Sequence, residues 1–108
     1  MNVKIKSASP VDSEHTECVI LEVLKDTDIG KYILLDYASH KIIHTFWFPD
    51  MQVKKGDIIH LFKVNSPSTK ILESTYPASV HKLIWYLPEA TAEVKDQSLV
   101  LVEANDWV

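Results

Sequence analysis

Short runs of aliphatic, β-branched and aromatic residues, each closed by a cluster of turn formers, recur along the chain and leave no room for a long amphipathic helix. The runs are Cys18 to Leu24, Lys31 to Tyr37, Lys41 to Phe48, Asp57 to Val64, Val80 to Leu87 and Leu99 to Glu103. Asp26-Thr27-Asp28-Ile29-Gly30, Ala38-Ser39-His40, Pro49-Asp50, Lys54-Lys55-Gly56-Asp57 and Asn65-Ser66-Pro67-Ser68 separate them. Turn signals at a spacing of about 8–12 residues mark a β-sandwich or small barrel, whereas βαβ units need crossover helices between strands. Only Glu89 to Lys95 has the composition for a helical turn. The connection from Asn65 to Ser79 is long for a hairpin, so a mobile loop, a binding loop or a concealed edge strand around Thr69 to Glu73 is expected there.

With 108 residues the chain supports one hydrophobic core. Met1 to Glu17 is polar, carries Ser7, Ser9, Pro10, Asp12 and Ser13 and has no sustained run, which predicts a flexible N-terminal segment over residues 1–17 and a single β domain over 18–108. Within that domain the run from Lys41 to Phe48 is apolar on both parities, with Ile42, Phe46 and Phe48 on one and Ile43 and Trp47 on the other. This predicts a central strand.

The charge is −4, and all 11 cations are lysines. Without arginine the chain lacks the planar fork that clamps phosphates and guanine edges, and a net negative charge disfavours nucleic acid and anionic lipid as partners unless the charges segregate onto separate faces. No run approaches the roughly 18 apolar residues of a spanning helix. Met1 to Ser7 has no apolar stretch to act as a leader, and the lone Cys18 forms no internal disulfide. The expected location is therefore a reducing cytoplasm, unless a leader has been removed.

No recognisable catalytic chemistry is present. His40 and His44 have the His-x3-His spacing of a zinc-binding helix, but on a strand that spacing separates them by about 13 Å, too far to share an ion. His15, His60 and His81 stand alone, so no metal is expected. Cys18 opens an apolar strand and reads as a small buried hydrophobe rather than a nucleophile, and no Gly-x-Ser-x-Gly is present. Gly30 and Gly56 are the only glycines, too few for a phosphate cradle. The chain is read as a non-enzyme without cofactors.

The aromatics and two lysines remain as candidate binding residues. Neighbours on a strand face opposite ways, so of Phe46 and Trp47, and of Trp85 and Tyr86, one fills the core and the other is free to face outward. Trp47, Trp85 and Tyr86 are the candidates for an aromatic surface, with Trp47 or Tyr86 at its centre. Lys54 and Lys55, with Lys63 further on, make a candidate basic patch. The better reading of the same lysines is as solvated turn charges that discourage edge pairing.

From Phe48-Pro49-Asp50 through Val53-Lys54-Lys55-Gly56-Asp57 the chain resembles the lamin tail domain, an immunoglobulin-like β-sandwich. The resemblance covers Cys18 to the C-terminus: an opening strand at Val19 to Leu24, an aromatic strand ending in Phe48-Pro49, and a Gly-containing turn before Ile58. A second aromatic strand follows at Leu83-Ile84-Trp85-Tyr86, and a closing strand at Leu99 to Val102. The chain departs from the pattern in Glu93 to Gln97, where the family has an Asn-rich, Gly-containing turn, and at Asp106, where it has Gly. The resemblance implies a small antiparallel sandwich, no catalytic residues, and interactions that vary among members. The expected function is that of an interaction or scaffold domain, holding a protein partner or a second copy through an aromatic β-face or an edge strand. The alternative is an oligonucleotide/oligosaccharide-binding (OB) barrel that grips single-stranded nucleic acid or a glycan by stacking.

Overall fold

Each of the six expected runs is a strand. The computed structural model describes residues 1–10, 17–38, 40–64, 76–87 and 98–104. Among them lie β1 (Val3–Pro10), β2 (Glu17–Val23), β3 (Thr27–Asp28), β4 (Tyr32–Ala38), β5 (Lys41–Trp47), β6 (Gln52–Val53), β7 (Ile58–Val64), β8 (Val80–Tyr86) and β9 (Ser98–Glu103). One sheet runs β1-β2-β7-β8 and a second runs β5-β4-β9, with β3 and β6 pairing separately. Among the described residues no strand is shared between the two larger sheets, as closure into a barrel would require, and the architecture is a small all-β sandwich. The regions expected to hold a helical turn (89–95) and an extra edge strand (69–73) lie outside the described residues. No helix among the described residues is long and apolar enough to cross a membrane.

The period-2 alternation builds the core. Tyr32, Leu34, Asp36 and Ala38 of β4 point inward while Ile33, Leu35 and Tyr37 point away, and Val19, Leu21 and Val23 face them from β2. Ile59, Leu61, Phe48, Trp85 and Leu101 complete the layer between the sheets. Beneath it, Asp28 Oδ1 accepts the backbone N–H of Gly30 at 2.9 Å and of Met51 at 3.0 Å, tying the β3–β4 connection to the segment before β6. A Cβ at Gly30 would come within 2.9 Å of Asp50 Cα, which is why glycine stands there.

Three expectations need correction. The N-terminal segment is not flexible over its first ten residues: Val3–Pro10 is a strand antiparallel to β2, and Val3 is buried in the core. Val3-Lys4-Ile5-Lys6 alternates apolar and polar, the pattern of an edge strand with one face covered. A register shift between Ile5 and Ser7 interrupts that alternation. Asn2 pins the start, its carbonyl accepting from Leu24 N–H at 2.7 Å and its N–H donating to Tyr32 Oη at 3.1 Å. Residues 11–16 lie outside the description.

The strand expected to be central, β5, is at the end of its sheet among the described residues, and β4 takes the middle. Its second apolar parity is therefore not a second buried face. The larger sheet is also mixed rather than purely antiparallel, because β7 and β8 run parallel, Ile58 beside Val80 and Val64 beside Tyr86. A parallel neighbour requires the chain to return to the end where it began, and the long connection from Asn65 to Ser79 provides that length.

Candidate functional site

The register of the smaller sheet fixes what its outer face carries. Ile33 sits between Trp47 on β5 and Val102 on β9, and Leu35 between Thr45 and Val100. Beyond an irregularity in β5, Tyr37 sits between Ile42 and Ser98. These nine positions form three rows across three strands, and none of them bears a charge. An antiparallel sheet with one face in water ordinarily alternates apolar inward and polar outward. Here Trp47 is 60% exposed and Ile42 54%, and Val100 and Val102 are exposed beside them.

The outer face of the larger sheet is different. Cys18, Phe62 and Val64 are buried there as a second small core, with Ile20, Ile84 and Tyr76 packed against them. The Tyr76 ring lies 5.3 Å from His60 and takes Lys82 Nζ at 5.4 Å from its centroid. Burial, and then the neighbouring Glu17 carboxylate, push the Cys18 thiol up to about 11, so it packs as a small hydrophobe.

The candidate binding residues do not converge. Trp47 lies on the outer face of the smaller sheet, while Phe46 turns inward onto Phe48 and Trp85. Trp85 is not a surface residue: it is 5% exposed, its ring 5.5 Å from Phe46 and edge-on to His44 at 6.3 Å. Tyr86 is 52% exposed, but at the end of β8 in the other sheet. Lys54 and Lys55 occupy the turn before β7, at the opposite end of the parallel β7–β8 pair from Tyr86. Their backbone N–H groups donate to Asp57 Oδ2 and Asp26 Oδ1, and Gly56 adopts φ 90 to close the turn. Lys63 does not join them in a basic patch, because its side chain is inside the sandwich.

There it belongs to a polar cluster that the sequence reading missed. Lys63 Nζ donates to Asp36 Oδ2 at 3.0 Å, lies 3.7 Å from Glu17 Oε1 and sits 5.4 Å from the Trp85 ring centroid. His44 Nδ1 is 3.5 Å from the same Asp36 oxygen, and that separation does not form a hydrogen bond. The available signal was Asp36 itself, a lone acid inside the apolar run Tyr32 to Tyr37. A second pair closes the far end, His81 Nε2 standing 2.8 Å from Asp57 Oδ2. That contact, with the Lys54 N–H, holds the Asp57 carboxyl below the usual range.

His40 lies in the β4–β5 connection and His44 on β5, and no group of three His, Cys, Asp or Glu among the described residues is placed to hold a metal. No protein-family model matches the chain, and no curated protein matches it either.

Proposed function

We propose that the chain is a non-enzymatic interaction domain that takes a protein partner on the outer face of β5-β4-β9, built on an immunoglobulin-like sandwich of the lamin tail type. The observation that carries the proposal is the row pattern: nine outward positions without a charge, with Trp47 exposed at one corner. Apolar surface gains roughly 25 cal/mol for each Å² removed from water, so such a face is stabilised by a cover. Exposed apolar patches of this kind mark interaction sites, and tryptophan is the side chain most enriched among binding anchors.

The strand order supports the fold part of the reading. β1-β2-β7 facing β5-β4-β9 matches strands A, B and E facing C′, C and F of an immunoglobulin-type sandwich, with the parallel β8 as an addition. The intracellular assignment belongs to the same proposal, and a lone cysteine that packs as a hydrophobe suits it.

The test is selection of a random peptide-display library on the full chain, followed by binding of the enriched peptides to Thr45→Lys and to Tyr86→Ala. Peptides that bind the native chain and Tyr86→Ala but not Thr45→Lys are expected. Peptides indifferent to Thr45→Lys overturn the assignment of the face. Amide shifts around Trp47 or Tyr86 on adding a single-stranded oligonucleotide, weakening steeply with salt, would favour the stacking alternative instead.

A further inference from the structure

We infer that the partner this face takes is a second copy of the same chain, packed sheet against sheet about a two-fold axis lying in the interface. The inference rests on the interaction role proposed above and narrows it to one occupant. The exposed Trp47, Ile42, Val100 and Val102, with the half-buried β4 side chains between them, present on the order of 500 Å² of surface by ordinary residue areas. Two such faces, covered completely, remove at most about 1,000 Å² from water, the lower limit for a specific interface and the size of a weak, reversible dimer.

Charge argues in the same direction. A partner with charged side chains would have to leave them unpaired against a face that offers no counter-charge, at a cost of several kcal/mol for each ion. A second copy brings the same uncharged rows. The molecule as a whole carries −4, yet none of that charge lies on the nine positions that would meet.

Geometry makes the face complementary to itself. Sheets pack with strands roughly aligned and about 10 Å apart. A two-fold axis along the central row, Thr45–Leu35–Val100, lays the Trp47 row of each copy on the Ile42–Tyr37–Ser98 row of the other. Each indole then meets an aliphatic side chain rather than its own copy, and the contact is isologous and closes at two. Thr45 lies on the axis row, so a charge placed there meets its own copy.

Sedimentation equilibrium of the full chain from micromolar to millimolar concentration tests this, on the native sequence and on Thr45→Lys. A reversible monomer–dimer equilibrium insensitive to salt is expected, weakened at least about tenfold in Thr45→Lys by the paired lysines. If circular dichroism shows that Thr45→Lys does not fold, Val100→Lys replaces it. A native chain that is monomeric at millimolar concentration overturns the inference, as does a dimer that neither lysine variant weakens, because pairing then uses another surface. The peptide selection keeps the two readings apart. A monomeric chain whose selected peptides still require Thr45 loses self-association alone, whereas peptides indifferent to Thr45 remove the interaction face itself.

Discussion

Lys63 reaches across the space between the two sheets and places its Nζ 3.0 Å from Asp36 Oδ2, with the carboxylate side chain 1% exposed and the lysine nearly as deep. The pair joins β7 of one sheet to β4 of the other, at the level where His44 and Trp85 also meet. Removing water from both ions is costly, and their attraction offsets that cost only while both are present.

Truncating one partner therefore strands the other. Lys63→Met is expected to lower unfolding free energy by about 3–5 kcal/mol, and Asp36→Leu by a similar amount. The double variant Asp36→Leu with Lys63→Met is expected to recover most of that loss, since two apolar side chains suit the surrounding core. Urea unfolding of the four proteins makes the comparison, and additive losses in the double variant would show that the two charges are not coupled.

The two aromatic dyads separate core from surface in the same measurement. Trp85→Ala is expected to cost about 3–5 kcal/mol, because its ring is packed against Phe46 and lies under the Lys63 ammonium. Trp47→Ala, on the exposed face, is expected to cost about 1 kcal/mol or less in the monomer. Equal losses would contradict the placement of the two indoles.

These contrasts show where the sequence was legible. The turn clusters bounded the first four of the six long runs because Asp, Asn, Gly and Pro break strands for local reasons that a sequence carries. The opposite facing of Phe46 and Trp47, and of Trp85 and Tyr86, followed from the strand period, but which member faced the core depended on which sheet each strand joined. The second apolar parity of β5 had two readings, a buried central strand or an edge strand with a face to cover, and only strand order separates them. Lys63 was misplaced because its counter-ion lies 27 positions away in another sheet. β1 was missed because its polar half resembles a tail, although Val3 and Ile5 alternate as a strand does.

His40 offers a stabilising substitution. It occupies the short connection from β4 to β5 with φ 65, a left-handed conformation that costs a side-chain-bearing residue roughly 1–2 kcal/mol and glycine almost nothing. The side chain is exposed, so little packing is lost. His40→Gly is expected to raise stability by about 1 kcal/mol, less the larger backbone entropy glycine has when unfolded. A thermal melt that shifts downward would show that the hairpin gains more from the histidine than its backbone loses.

Acid should weaken the fold in two stages. Burial holds the His60 imidazole below its ordinary value, so in the range beneath about pH 6.5 the unfolded chain binds a proton that the folded chain resists. The stability tied to neutral His60 is present above that range and is lost as pH falls through the folded value. Asp57 behaves likewise lower down. His81 first, and then the Lys54 N–H, hold its carboxyl below the ordinary value near 3.9, so its contribution is complete above that pH and disappears as pH falls through the folded value. Urea midpoints at pH 8, 5 and 3 measure both stages. His60→Gln is expected to flatten the change between pH 8 and 5, and Asp57→Asn the change between pH 5 and 3, each leaving the other stage intact. An unchanged profile in His60→Gln would mean that the ring under Tyr76 takes up its proton as readily in the fold as out of it.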